Sequence, residues 1–327
     1  MTNDRQPTDL RRRQLLALGA SPIVAAGLAA CGGGGGGQPS TPSQDAAATA
    51  PTNTPATSPA PADPRPAAKS AKRGIAYDLA SPDDLAVLAP GVSWWYAWGL
   101  RPHTGVPTDF RSRYAMDFHP MLWNGNFDST EVESYLLAHP DIRYLLLLNE
   151  PNLTDQANLT PSQAAALWPR YEAIAGRTGV KLVGPAITWG TMPGFSDPVV
   201  WLDAFYGDYR AANAGRDPRI DYLAFHWYDY GLGAQLDRLG KYGKSLWVTE
   251  FANWHSQADG AQVDTVARQK AQMSEMVAVC ESRGDVFRYA WFTGRWAPDP
   301  HFTSLLGASG ELTELGRHYL TLPFAAT

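Results

Sequence analysis

Short apolar runs alternate with helical patterns along most of the chain, from Lys72 onward. Runs of this kind, separated by helices, are the sequence rhythm of β/α units around a parallel sheet. The eight runs are Gly74–Asp78, Val92–Trp98, Met116–Trp123, Arg143–Asn149, Lys181–Trp189, Ile220–Tyr228, Ser245–Phe251 and Val286–Thr293. The helical patterns are Thr130–Ala138, Pro161–Thr178, Val199–Asn213, Leu236–Tyr242, Val263–Arg283 and Glu311–Leu320. We therefore expect eight strands linked by helices.

The length of this region and the residues at the ends of its strands favour a closed barrel. From residue 74 onward it has about 250 residues, which is typical of a (β/α)8 TIM barrel. Polar and aromatic side chains end nearly every run, among them Trp95, Asn149, His226 and Glu250. An open, doubly wound sheet is the rival fold, but it would bind its ligand at a single switch point. A ring of such strand ends around one cavity fits the barrel better.

The N-terminal part of the chain lacks this pattern and has the features of an export segment. Arg11, Arg12 and Arg13 precede a short apolar stretch that ends in Leu28-Ala29-Ala30-Cys31. A basic region followed by a short apolar region is typical of a secretory signal. The ending resembles a bacterial lipobox, which implies cleavage before Cys31 and a lipid on its sulfur. Arg12 and Arg13 also resemble a twin-arginine export motif.

Two alternatives stay open for this segment: an ordinary cleavable signal with an incidental Cys31, and the general export route. After Cys31, six glycines and a tract rich in Pro, Ala, Ser and Thr cannot bury enough apolar surface to fold. We expect a signal peptide at residues 1–30, a disordered linker at 31–71 and one barrel domain at 72–327. The protein would be an exported lipoprotein, at the cell surface or in the periplasm and held to a membrane by its lipid.

Charge, cysteine and histidine content limit the partners and cofactors. The formal net charge is −5, and it stays negative without residues 1–30, so we expect no nucleic acid partner. Cys280 lies in a helical pattern, where a buried and unreactive thiol is expected. None of the 7 histidines shows the His-Glu-x-x-His spacing of a zinc site. We expect no metal, no cofactor and a monomer.

Glu150 and Glu250 each end a predicted strand, the fourth and the seventh of the eight. The C-terminal ends of barrel strands are where enzymes of this fold keep their catalytic residues. One such Glu could belong to a structural ion pair, but two on these strands can converge over the mouth of the barrel. Cleavage of a glycosidic bond needs one carboxyl to protonate the leaving oxygen and another to stabilise or attack the sugar. The pair therefore indicates a glycoside hydrolase.

The motifs around both glutamates resemble the retaining (β/α)8 glycoside hydrolases of clan A. They are Asn149-Glu150-Pro151 and Thr249-Glu250-Phe251. Within that clan, residues 72–320 are most similar to glycoside hydrolase family 128, the Asl1-like glycosyl hydrolase catalytic core. The stretches that carry this similarity are Lys72-Arg73-Gly74, Val92–Trp98, Asn149–Asn152, Phe225–Tyr228 and Trp247–Phe251. The resemblance implies a retaining endo-β-1,3-glucanase that acts on β-glucan.

The resemblance also implies a role for individual residues. Glu150 would be the general acid and then the general base, and Glu250 the nucleophile, with carboxyl groups about 5 to 5.5 Å apart. Asn149 would bind the sugar 2-hydroxyl, Tyr228 would hydrogen-bond the nucleophile, and His226 would line the cleft. The alternatives are a strand-end turn for Asn149 and a core side chain for His226.

Aromatic and polar residues at the strand ends are candidates for substrate contact, because sugar rings stack their C–H faces on aromatic planes. The candidates are Trp95, Tyr96, Trp123, Asn124, Trp227 and Trp291. Packing is the alternative role for each aromatic residue. Ala97 stands where the family often has an Asn, so one polar contact to the substrate is expected to be missing.

Two other functions are compatible with the sequence. The first is a related exo-acting hydrolase or a transglycosylase on another β-glucan, which the lengths of the loops would decide. The second is a surface glucan-binding lipoprotein that keeps the barrel without turnover. A pure binder has no need of a matched carboxyl pair, so the two glutamates argue against the second function.

Overall fold

The computed structural model describes residues 69–257 and 259–324 of the chain. The expected signal peptide, Cys31 and nearly all of the expected linker lie outside these residues, so what was expected of them stays a prediction. Within the described part of the chain, no helix combines the length and the apolar character needed to cross a membrane.

One sheet of nine parallel strands runs through the described residues. The strands are β1 (Arg73–Ala76), β2 (Trp94–Tyr96), β3 (Asp117–Phe118), β4 (Met121–Leu122), β5 (Tyr144–Leu147), β6 (Lys181–Ile187), β7 (Tyr222–Trp227), β8 (Leu246–Phe251) and β9 (Val286–Trp291). Their order in the sheet is β3-β2-β1-β9-β8-β7-β6-β5-β4. Each predicted run overlaps one of these strands, except that the third run contains both β3 and β4, and β1 begins one residue before its predicted run.

β3 and β4 together form the third strand of a closed barrel. β3 pairs with β2, where Asp117 lies opposite Trp94, and β4 pairs with β5, where Met121 lies opposite Leu146. Only residues 119–120 separate the two pieces, and Pro120 has no N–H to donate to a neighbouring strand. The sheet therefore closes through eight strand positions, and the predicted (β/α)8 barrel is confirmed.

Eight α-helices connect the strands within the described residues. They are α1 (Pro82–Leu88), α2 (Phe110–Tyr114), α3 (Ser129–Ala138), α4 (Pro161–Thr178), α5 (Pro198–Ala212), α6 (Leu232–Leu239), α7 (Val266–Ser282) and α8 (Glu314–Thr321). The sequence pattern did not predict α1 or α2, which span only 7 and 5 residues. α6 begins four positions before the predicted Leu236, directly after Gly231, whose φ of 75° is readily adopted by glycine.

α4 has its predicted bounds because its ends carry strong local signals. The Thr160 side chain accepts from the Gln163 N–H at 3.2 Å, and the Gln163 side chain accepts from the Thr160 N–H at 2.8 Å. This capping box satisfies two backbone donors at the start of the helix, and Pro161 fits the first helical position. Gly179 ends the helix at a φ of 81°.

Aromatic rings fill the barrel interior around one guanidinium. Arg288 lies 5.1 Å from the ring centroid of Trp247, 5.4 Å from that of Tyr144 and 5.8 Å from that of Trp94. Its Nη1 lies 2.9 Å from Nε2 of His119. Burial, with the positive charge of Arg288 adding to it, holds the pKa of His119 well below its ordinary value. The imidazole is therefore neutral and accepts the hydrogen bond, and the barrel is packed rather than open.

The first strand and the last helix of the barrel are joined through Arg73. Its side chain is buried, and it donates to the carbonyls of Tyr319 and Leu322 at 2.8 Å each. Its Nε donates to the Tyr289 hydroxyl at 2.9 Å. The carbonyls at the end of a helix lack partners within the helix, and Arg73 supplies them. The C-terminal end of α8 is therefore fixed to β1.

Cys280 lies on α7 and is fully buried. Burial, with the negative charge of Glu281 adding to it, raises the pKa of its thiol well above the ordinary value. Because the thiolate is the nucleophilic form, the thiol is unreactive, as the sequence predicts.

Candidate active site

Glu150 follows β5 in a bent segment of backbone. The φ angles of Leu148 and Glu150 are 56° and 47°, and such left-handed values strain residues that carry a Cβ. The Glu150 N–H donates to the Ala186 carbonyl of β6 at 2.8 Å, and its carbonyl accepts from the Leu153 N–H at 3.0 Å. The bend is thus held from both sides, and the Glu150 side chain is 1% exposed.

Glu250 lies within β8, opposite His226 of β7, and is fully buried. Its Oε1 accepts from the Tyr96 hydroxyl at 3.0 Å and from the Trp98 indole N–H at 2.8 Å. Its Oε2 accepts from the Tyr228 hydroxyl. Burial and then the charge of Glu250 hold the pKa of Tyr96 well above its ordinary value, so Tyr96 stays protonated. Three donors therefore stabilise the charged form of this carboxylate.

His226 connects the two carboxyl groups. Its Nδ1 lies 2.9 Å from Oε1 of Glu150 and 3.5 Å from Oε2 of Glu250, and its Nε2 lies 2.9 Å from Oγ1 of Thr249. One oxygen of each carboxyl and one ring nitrogen lie within 4.8 Å of one another. Retaining glycosidases place their carboxyl groups about 5 to 5.5 Å apart, and inverting enzymes roughly 6.5 to 9.5 Å apart. The geometry is that of a retaining pair.

The same three side chains have the ligand types that bind divalent cations. A cation on Glu250 would compete with the hydroxyl and indole donors that already converge on its oxygens. A cation on Nδ1 of His226 would likewise displace the contact with Glu150. Hydrogen-bond donors therefore already occupy the positions that a cation would take.

The structure brings the supporting candidates to the same place. Asn149 is 1% exposed, and its amide nitrogen donates to the Gln156 side chain at 3.1 Å. Its amide oxygen has no hydrogen-bond partner among the described residues. Tyr228 donates to Glu250 and stacks on Trp254, with ring centroids 3.9 Å apart. Asn149 therefore keeps an acceptor next to Glu150 in the chain, and Tyr228 fixes the carboxylate of Glu250.

Trp95 and Trp291 do not face the site, which corrects the expectation that they contact substrate. Trp95 is fully buried and packs on Phe110 of α2 and Phe118, with centroid distances of 4.9 and 5.5 Å. Trp291 is fully buried near Tyr319 of α8, with ring centroids 6.2 Å apart. Successive side chains of a strand point to opposite faces. Both rings lie in the layer between the sheet and the helices.

The expectation that Trp227 contacts substrate is corrected for the same reason. It stacks on Phe225, with centroids 6.0 Å apart, on the face of β7 opposite His226. Its indole N–H donates to the Tyr230 carbonyl at 2.9 Å. Of the aromatic candidates, Tyr96 is the one whose side chain hydrogen-bonds Glu250.

Trp123 and Asn124 lie at the rim, directly after β4, and both are half-buried. The Trp123 carbonyl accepts from the Asn149 N–H at 2.8 Å. The Asn124 side chain accepts from the Asn126 N–H at 2.9 Å, which forms a tight turn. Their contact with substrate stays a prediction.

Sequence analysis missed several aromatic residues beside the nucleophile. Trp98 is in line with Tyr96 on one face of the chain after β2, so strand alternation could have identified it. Phe292 lies 5.9 Å from Trp98 and 5.7 Å from Trp254, between ring centroids. His301 stacks on Trp254 at 4.9 Å. Trp254 and His301 lie outside the strands, where no periodic signal marks them.

The structure is a (β/α)8 barrel with two carboxyl groups close together on its fourth and seventh strand positions. These features define a glycoside hydrolase. Residues 74–319 match the family model described as the glycosyl hydrolase catalytic core. Among curated protein sequences, none matches the chain significantly.

Three solved structures identify the family within this class. An endo-β-1,3-glucanase of glycoside hydrolase family 128, subgroup II, from Pseudomonas viridiflava is 63% identical, covering 79% of this chain and 100% of that chain, with a TM-score of 0.78. A subgroup II endo-β-1,3-glucanase from Sorangium cellulosum is 36% identical, covering 78% and 100%, with a TM-score of 0.66. A subgroup I endo-β-1,3-glucanase from Amycolatopsis mediterranei, in complex with laminaritriose, is 25% identical, covering 76% and 98%, with a TM-score of 0.58. The chain belongs to glycoside hydrolase family 128.

Proposed function

We propose that the protein is an endo-β-1,3-glucanase that hydrolyses its substrate with retention at the anomeric carbon. The observation that carries the proposal is the pair Glu150 and Glu250, with a carboxyl oxygen of each within 4.8 Å of the other. The identity of 63% to a subgroup II endo-β-1,3-glucanase supports the linkage and the endo mode of action.

The reaction proceeds in two displacements. The Glu250 carboxylate attacks the anomeric carbon, the bond to the leaving oxygen breaks, and that oxygen takes the proton of Glu150. Glu150, now a carboxylate, then takes a proton from water. The water oxygen attacks the same carbon and releases Glu250. Each displacement inverts the configuration of the anomeric carbon, so after two displacements the product keeps the configuration of the substrate.

The surroundings of each carboxyl suit its role. Three donors keep Glu250 charged and fix its orientation for attack. Oε1 of Glu150 is held by His226, so the transferred proton is carried on Oε2. The amide oxygen of Asn149 can accept a hydrogen bond from the sugar 2-hydroxyl, and this would explain a buried acceptor that has no partner among the described residues.

A glucan-binding protein without turnover is the competing function, and one experiment separates the two. The purified protein is incubated with linear β-1,3-glucan, and released oligosaccharides are measured by chromatography, with E250Q and E150Q as controls. We expect release of several chain lengths by the parent and essentially none by E250Q, which still binds the glucan. Binding without release by the parent would overturn the proposal, and release of glucose alone would favour an exo mode.

We also propose that the protein is exported and held at a membrane by a lipid on Cys31, in keeping with the ending Leu28-Ala29-Ala30-Cys31. Metabolic labelling with an alkyne-bearing fatty acid should mark the full chain and not the C31S variant. Equal labelling of both would contradict the lipid anchor. Light scattering of the purified protein would test the expected monomer.

A further inference from the structure

Trp189 is an exposed aromatic side chain at the mouth of the barrel. It follows the C-terminal end of β6 by two residues and is 40% exposed. The other exposed large hydrophobic residues of the described chain, Leu137 and Val200, lie on helices α3 and α5. An exposed indole beside the strand ends is a feature that neither the core nor the catalytic pair requires.

The indole is fixed in place by two side chains of α6. Its N–H donates to the Gln235 side chain at 3.1 Å, and the guanidinium of Arg238 lies 5.3 Å from the ring centroid. Arg238 also donates to Gln235 at 3.1 Å and to Asp197 at 2.6 Å. A ring held in this way loses little conformational entropy when a ligand stacks on it.

The segment that carries Trp189 is anchored to the turn after Glu150. The buried Asn152 side chain donates to the Thr188 carbonyl at 2.6 Å, and its backbone carbonyl accepts from the Thr191 and Met192 N–H groups at 3.1 and 3.0 Å. A Cβ on Gly190 would lie 2.1 Å from the Asn152 carbonyl oxygen, so only glycine permits this approach. The indole and the acid therefore share one rigid support.

We propose that Trp189 is the stacking platform for a sugar of the leaving group, and so determines which chain lengths are cleaved efficiently. This inference rests on the proposed role of Glu150. An acid that protonates the leaving oxygen lies on the leaving-group side of the scissile bond. A rigid indole anchored to the same turn lies on that side too, and the apolar face of a glucosyl ring stacks on it.

The test compares two substrates that differ in their leaving groups. One is a linear β-1,3-linked glucohexaose, and the other is the β-fluoride of β-1,3-linked glucotriose, whose leaving group is an ion without a ring. We expect the ratio of kcat/KM on the hexaose to kcat/KM on the fluoride to fall about 10-fold in W189A. W189F, which keeps an aromatic face, should recover most of the ratio.

Leu137→Ala is the control, because it removes another exposed apolar side chain, from α3, and should keep the parent ratio. An unchanged ratio in W189A, or an equal loss on both substrates, would overturn the role of Trp189. Failure of the parent protein to cleave either substrate would instead overturn the proposed function, so the two failures are distinguishable.

Discussion

Nδ1 of His226 lies 2.9 Å from Oε1 of Glu150, with both side chains buried. A carboxylate only accepts hydrogen bonds, so a neutral ring that donates from Nδ1 accepts the Thr249 hydroxyl at Nε2. His226 thereby orients the Glu150 carboxyl group, and it also approaches Glu250 at 3.5 Å. It is a positioning residue for both carboxyl groups.

H226A should lower kcat by about 10- to 100-fold, because a hydrogen bond to a charged group contributes about 1.5 to 3 kcal/mol. H226N places an amide nitrogen near the position of Nδ1 and should recover part of the loss. Steady-state kinetics of the parent, H226A and H226N measure the effect. Equal activity of H226A and H226N would show that the ring only packs.

Azide distinguishes the roles of the two glutamates. On the glucotriose β-fluoride, whose leaving group needs no proton, E150A still forms the glycosyl-enzyme but lacks a base, so azide attacks it directly and gives the β-glycosyl azide. In E250A azide occupies the space of the missing nucleophile and gives the α-glycosyl azide. The products are identified by NMR. We expect E150A to lose about 10²- to 10⁴-fold in rate on natural glucan. An α-azide from E150A would reverse the assignment.

Removal of a single donor from Glu250 should slow the reaction without unfolding the barrel. Y96F deletes the hydroxyl that lies 3.0 Å from Oε1, while Trp98 still donates to the same oxygen. We expect kcat to fall about 10-fold or more, with little change in KM, since the contact is to the nucleophile. Steady-state kinetics on glucohexaose would check this. A rise in KM at constant kcat would place Tyr96 against the substrate instead.

Low pH should destabilise the fold, partly through His119. Its pKa in the folded protein lies well below the ordinary 6.5, so below pH 6.5 the unfolded chain binds a proton that the folded protein does not. The free energy of unfolding then falls by up to about 1.4 kcal/mol for each pH unit until the folded pKa is reached. Between pH 6.5 and 4.5, H119Q should show a shallower decline than the parent in urea unfolding.

The exposed His139 provides the control for this measurement. H139Q should decline in parallel with the parent over the same pH range. Parallel slopes for H119Q and the parent would mean that the buried imidazole is protonated in the folded barrel.

Trp95 should contribute to the stability of the fold and not to substrate binding. W95A removes a fully buried ring from between β2 and α2, and it should lower the free energy of unfolding by about 3 to 5 kcal/mol. W95F fills part of the cavity and should keep kcat/KM within about twofold of the parent. Denaturant unfolding and kinetics measure the two effects. A large rise in KM for a folded W95F protein would restore the predicted role in substrate contact.

The strand positions and the close approach of Glu150 to Glu250 could be predicted from the sequence because both depend on local patterns. Glu150 and Glu250 end apolar runs, and the ends of parallel strands meet at one edge of the sheet. The face of the sheet on which each aromatic side chain lies could not be predicted. An unbroken aromatic run such as Trp94-Trp95-Tyr96 does not show which positions point into the barrel and which point toward the helices. The structure turns Tyr96 toward Glu250 and Trp95 away from it.

Other features depended on contacts that are distant in the sequence. α2 has only 5 residues, too few for a helical period to emerge. Pro120 divides the third strand, although the sequence pattern predicted one run from Met116 to Trp123. Trp254 reaches the site from a segment beyond β8, and its stacking on Tyr228 is a tertiary contact without a local signature.

Through Arg73, the packing of the first strand depends on the last helix. Its acceptors include the carbonyl of Tyr319, 246 positions later in the chain. Contacts with such separation close large loops and form late in folding. During synthesis β1 is the first of the strands to emerge. Its guanidinium has no carbonyl acceptors until the final helix has formed. Loss of the residues from Tyr319 onward would therefore leave the buried guanidinium without these acceptors and would destabilise β1 as well as the last helix.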